Sequence, residues 1–148
     1  MLKGFLKTIN IIFFALLAGQ VVFISIALYI VNSSPPIETE NDLFNIIVPV
    51  VVGSGLFISN LIFKKLLEKI NNDAKLESKL AIYQKASVLK FALLEGPSIF
   101  ATVVYIISGN LMFLGFSVVM ILAFLMNIPT RNRLINDLNL NSNEADNL

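Results

Sequence analysis

Three long stretches of this chain carry no charged side chain at all: residues 8–37, 43–63 and 96–130. A water-soluble globule cannot build its outer shell from such runs, because there is too little polar surface to cover them. Charged residues make up only 14% of the chain, against about 25% in soluble domains, and hydrophobic residues make up 56%. The runs are continuously apolar and do not alternate in polarity. In lipid they therefore read as helices, which satisfy their own backbone hydrogen bonds, and not as barrel strands.

A hydrocarbon core of about 30 Å takes about 20 helical residues. Four spans of that kind are expected: 8–31, 43–63, 86–107 and 111–128. The expected fold is all-α, a polytopic membrane protein of two hairpins in one domain. Lys3 and Lys7 precede the first span. The loop 32–42 holds Glu38, Glu40 and Asp42 and no base. Six lysines, from Lys64 to Lys85, fill the connection between spans 2 and 3, and Arg131 and Arg133 follow span 4. Every basic group then falls on one side, which places both termini in the cytoplasm. The expected location is a cell membrane such as the bacterial inner membrane. A cleaved signal peptide ending near Ser25-Ile26-Ala27 is the competing reading of the N-terminus, but its apolar run exceeds the usual ~7–15 residues.

Composition excludes several chemistries. There is no Cys and no His, hence no disulfide, thiolate zinc site or His-based catalysis within this chain. The net charge of +1 gives no pull toward nucleic acid. No phosphate-binding Gly-rich motif occurs and the spans contain no carboxylate cluster, so neither an enzyme nor a cofactor is expected.

Spans 1 and 3 share a pattern. Phe14-Ala15-Leu16-Leu17-Ala18-Gly19-Gln20 aligns without gaps on Phe91-Ala92-Leu93-Leu94-Glu95-Gly96-Pro97, and Phe23 then falls on Phe100. Spans 2 and 4 align more loosely: Val50-Val51 on Val118-Val119, Lys65 on Arg133. The pattern is that of a parallel internal repeat of two hairpins. It sets one residue apart, because Glu95 stands where the first half has Ala18.

An acidic residue within a span usually faces protein or water. Glu95, Ser98, Thr102, Tyr105 and Gly109 follow steps of three and four and share one helical stripe, which should face the bundle. Pro97 should kink the helix, and Gly96 beside it allows close backbone approach. Lys90 is badly placed to bridge Glu95 and snorkels to the surface instead. Partners for Glu95 would come from other helices: Gln20, Asn60 or Asn127. The readings open for Glu95 are an ion or proton site, a hydrogen-bonded helix glue, and a partly hydrated group near the inner interface.

Glu95-x-x-x-Ile99-Phe100-Ala101-x-Val103 resembles the ion-binding helix of ATP-synthase c subunits, or proteolipids, over about residues 92–104. That resemblance implies a proton or sodium site at Glu95 in an oligomeric ring. The chain departs from that family in having only Gly53-Ser54-Gly55 where proteolipids carry a repeated Gly pattern, and in its long connection between spans 2 and 3.

Two small-xxx-small pairs, Ala15 with Gly19 and Gly55 with Ser59, allow close helix approach inside the monomer or between copies, and packing inside the monomer is the expectation. The connection 64–85 reads as helical around a turn at Asn71-Asn72-Asp73, with Asp73 the N-cap of a helix from Ala74. Thr130 should cap a short helix to Leu138, and 139–148 reads as a disordered tail. The expected function is a small accessory or structural membrane component, packing with itself or with a larger complex. The alternative is a small transporter or ion-translocating subunit using Glu95. The expected partners are the bilayer, further copies and other membrane proteins.

Overall fold

The structure, a computed structural model, describes residues 4–36 and 42–146. Glu38 and Glu40 of the first loop, Lys3, and the last two residues lie outside them. The described residues form helices and turns with no strand. The helices are α1 (Phe5–Ser33), α2 (Asp42–Leu67), α3 (Leu76–Ser108), α4 (Leu111–Leu125), α5 (Arg131–Leu138) and α6 (Ser142–Asp146). Three of them, α1, α2 and α3, are long and apolar enough to cross a membrane. Helix α4 is shorter: its 15 residues span about 22 Å.

Helix ends follow local chemistry. At the α3–α4 turn Gly109 takes a left-handed conformation (φ 69°) and its N–H bonds the Tyr105 carbonyl at 2.8 Å. Asn110 then caps α4, its side chain accepting from the Met112 N–H at 2.9 Å. Thr130 caps α5 through the Arg133 N–H, as its sequence position predicts. The expected cap at Asp73 is not used. Asn71 accepts from the Asp73 N–H within the turn, and α3 starts at Leu76 behind Lys75, without a side-chain cap.

Helix α3 is the hub. It packs against α1, α2 and α4, while α1 and α2 hardly touch. Two corrections follow. The first two spans do not form a packed hairpin, because α3 takes the place that hairpin would need. The internal two-fold is also absent from the packing, since exchanging the halves would require α1 to lie on α2 as α3 lies on α4.

The α2–α3 contact has a specific cause. Helix α3 runs unbroken through Gly96 and Pro97. The open space beside Gly96 shows that it is not the close-approach residue; that role belongs to Gly55. A Cβ placed on Gly55 would sit 2.5 Å from Pro97 Cγ and 3.1 Å from the Leu93 carbonyl oxygen. That carbonyl is the one deprived of its N–H donor by Pro97. Ser59, one turn on, is buried on the same stripe as Val48, Val52 and Gly55. The other small pair behaves differently. Ala15 and Gly19 face outward, with nothing within 4 Å of a Cβ added to Gly19, so this pair does not pack the monomer.

Helices α5 and α6 fold back under the bundle. Lys79 Nζ, on the buried side of α3, pairs with Glu144 Oε1 at 2.8 Å. Arg131 donates to the Ala145 carbonyl at 2.7 Å, and Leu138 is buried with Leu134 against the core. Residues 139–146 are therefore a docked turn and helix and not the loose tail expected. The sequence hides this because its Asn-rich surface is polar while its anchor is one long-range ion pair. The start of α1, the α2–α3 connection and α5–α6 gather at one end, which also holds the basic residues.

Two outcomes are expected. Gly55→Ala should lower stability in detergent by about 1–3 kcal/mol through overpacking at Pro97, while Gly53→Ala, which meets open space, should be near neutral. Equal effects in thermal unfolding would refute the contact. Lys79 holds the Glu144 carboxyl below its ordinary range, first through the hydrogen bond. A depressed acid stabilises above its unfolded pKa and stops doing so as pH falls through its folded one. Protection of the α6 amides, taken relative to their intrinsic exchange rate at each pH, should thus be higher at neutral pH and fall below about pH 4, and Lys79→Met should abolish that pH dependence.

Candidate functional site

Three layers stack along the bundle from the basic end. The first is a cleft of about 260 Å³ between α2, α3, the end of α4 and α5. Lys64, Lys90, Arg133 and Asp137 line it, with Asn60, Asn127, Tyr83 and Ser87 as further polar groups and Phe63, Leu67 and Phe91 as apolar wall. Lys90 Nζ lies 4.6 Å above the Phe63 ring, a cation–π contact that holds it over the cleft. Arg133 reaches back to the end of α4, donating from Nη1 to the Met126 carbonyl at 2.9 Å and to that of Ile128 at 3.3 Å. It thereby satisfies carbonyls that a helix end leaves open and sits where the helix dipole is negative. Tyr83 donates to Asp137 Oδ2 at a long 3.4 Å. Among the described residues no ion pair joins Asp137 to either base. Burial raises the Asp137 carboxyl above its usual range, against the pull of Arg133, the Tyr83 hydrogen bond and Lys90.

The second layer is aromatic and closes the cleft from beneath. Phe13 and Phe124 stack with centroids 4.6 Å apart, and Phe91 meets them at 5.3 and 5.4 Å. All three rings are buried. Phe91 thus serves as both the floor of the cleft and part of the plug.

The third layer is a hydroxyl cluster. Two helical turns beyond Phe13, Phe91 and Phe124 stand Gln20, Ser98 and Ser117, so the three helices bring polar groups to one level. Thr102 Oγ1 donates to Ser117 Oγ at 2.8 Å, and Ser117 Oγ donates to the Ser98 carbonyl at 3.0 Å. Thr102 Oγ1 also lies 2.9 Å from that carbonyl. This cluster ties α3 to α4 where apolar surface contributes no drive to associate in lipid. Gln20 is 2% exposed, and neither Nε2 nor Oε1 has a hydrogen-bond partner among the described residues.

The sequence-derived stripe is therefore real in part. Ser98, Thr102 and Tyr105 are buried against the bundle, while Glu95 is half-buried at its edge. Glu95 makes no hydrogen bond or ion pair among the described residues. Asn60 and Asn127 do not come to it; they line the cleft and donate to their own helices, at the Leu56 and Ala123 carbonyls. Ser117, Tyr83, Arg133 and Asp137 were not legible as site residues. Ser117 sits in an apolar run like any small filler, and the other three become neighbours only when α5 folds back. No protein-family model, no curated protein and no solved structure matches the chain.

A buried amide without partners costs roughly 1–3 kcal/mol. Gln20→Met, which keeps length and removes the amide, should therefore raise the thermal midpoint in detergent. A fall instead would mean that the amide is paired in the working molecule.

Proposed function

We propose that the chain is a small, non-enzymatic integral membrane protein in which all four of α1–α4 cross the bilayer. Its basic end and both termini face the cytoplasm. It acts as an accessory or structural component, packing with copies of itself or with a larger membrane complex. The observation that carries this reading is the outer side of α1. That helix rests on α3 and lightly on α4, and otherwise shows Ile11, Phe14, Val22 and Ile26 outward around the open Ala15–Gly19 notch. Small residues that expose helix backbone among large apolar ones are what a second transmembrane helix packs into. Helix α4 is some 8 Å short of a ~30 Å core. The turn at residues 126–128 and the Asn110 cap lengthen the crossing, and local thinning covers the remainder at modest cost.

Translocation through Glu95, of the proteolipid kind, is favoured by the carboxyl's lack of a partner. It is disfavoured by the aromatic layer, which leaves no polar path through one chain from the cleft to the hydroxyl cluster.

The absence of native Cys makes topology directly measurable. Single cysteines at Lys69 and Ser142 should label from the same side, and one at Asn110 from the other. Native mass analysis from lipid nanodiscs should show more than one copy or a stable larger assembly, reduced by Gly19→Leu. Labelling of Asn110 and Ser142 from one side would sink the four-span reading.

A further inference from the structure

We propose that the cleft at the basic end binds a phosphate oxyanion, carried either by an anionic phospholipid headgroup or by a small soluble phosphate. Lys64, Lys90 and Arg133 face a single carboxylate, Asp137, so the cleft carries two uncompensated positive charges. The bases are not spent on one another's counter-ions. Asp137 is held by Tyr83, Lys90 is held over Phe63, and Arg133 commits only Nη1 to the end of α4, leaving its other donors free. A set of cations kept apart by neutral contacts, instead of neutralised, is organised to receive an anion.

The dimensions and walls agree with that ligand. About 260 Å³ holds roughly eight or nine water-sized groups, which suits a phosphate with a glycerol-sized substituent. One wall is apolar (Phe63, Leu67) and the floor is Phe91, so the ligand enters from the basic end and stops there. Basic pockets between transmembrane helices at the cytoplasmic surface are suited to phosphate headgroups. The inference goes beyond the accessory role proposed above and does not need its partner; only the lipid source depends on the bundle crossing a membrane.

The test uses the full chain in phosphatidylcholine nanodiscs, with bound lipid read by native mass spectrometry and inorganic phosphate binding read by thermal shift. Adding phosphatidylglycerol should give retained lipid that phosphatidylcholine does not. Lys64→Gln with Lys90→Gln should weaken this by at least about fivefold per charge, while Lys69→Gln with Lys75→Gln, outside the cleft, should not. Asp137→Asn removes the one carboxylate and should tighten binding severalfold, a gain that misfolding cannot imitate. The same variant pattern seen with inorganic phosphate, and no preference for phosphatidylglycerol, assigns the site to a soluble phosphate. The proposal is overturned if neither probe binds, if both lysine pairs matter equally, or if Asp137→Asn leaves binding unchanged.

Discussion

Helix α3 meets α2 where the Pro97 ring lies in the notch at Gly55, and much of the remaining architecture depends on that approach. In a bilayer, burying apolar side chains against one another contributes little, because lipid is equally apolar. Helices associate through close packing and through polar groups that find partners. Proline supplies a rigid ridge, at the expense of the Leu93 carbonyl's donor, and glycine supplies the groove. With α2 held there, α3 has its hydroxyl face left for α4 and another flank left for α1. The result is a hub with three neighbours and not two hairpins side by side.

The hub also explains why polar chemistry is layered. Phe13, Phe91 and Phe124 come from the three helices α1, α3 and α4, and their rings fill the level between the cleft and the hydroxyl cluster. Polar groups on the two sides of that plug belong to separate environments. Those toward the basic end are charged and open to solvent or headgroups. Beyond it, the hydroxyls of Ser98, Thr102 and Ser117 bond one another and backbone carbonyls, and only the Gln20 amide at that level lacks a partner among the described residues.

Several features were legible in the chain itself, each for a local reason. The three long apolar helices, the tight turn at Gly109, the Thr130 cap and the inward stripe of Ser98, Thr102 and Tyr105 follow from hydropathy, turn chemistry and helical period, all of which act within a few residues. Long-range facts were not legible. Sequence alone left Asn60 and Asn127 as candidate partners of Glu95 and favoured Ala15–Gly19 as a contact inside the monomer. It could not show that α5 turns back to bring Arg133 and Asp137 under α2 and α3. The repeat misled for a related reason: similar helices need not have similar neighbours, and α1 and α3 differ in which faces are covered.

The sequence by itself determined that the chain is helical, with helices long and apolar enough to cross a membrane, because charge-free length and backbone hydrogen bonding leave few alternatives. It also concentrated the bases at one end. Only the tertiary structure decided that Gly55, and not Gly96, is the close-approach glycine, that Gln20 is buried without a partner, and that Lys64, Lys90, Arg133 and Asp137 share one cleft. Those outcomes turn on which helix faces meet, a choice made by shape complementarity between segments far apart in the chain, and nothing in the local pattern encodes it.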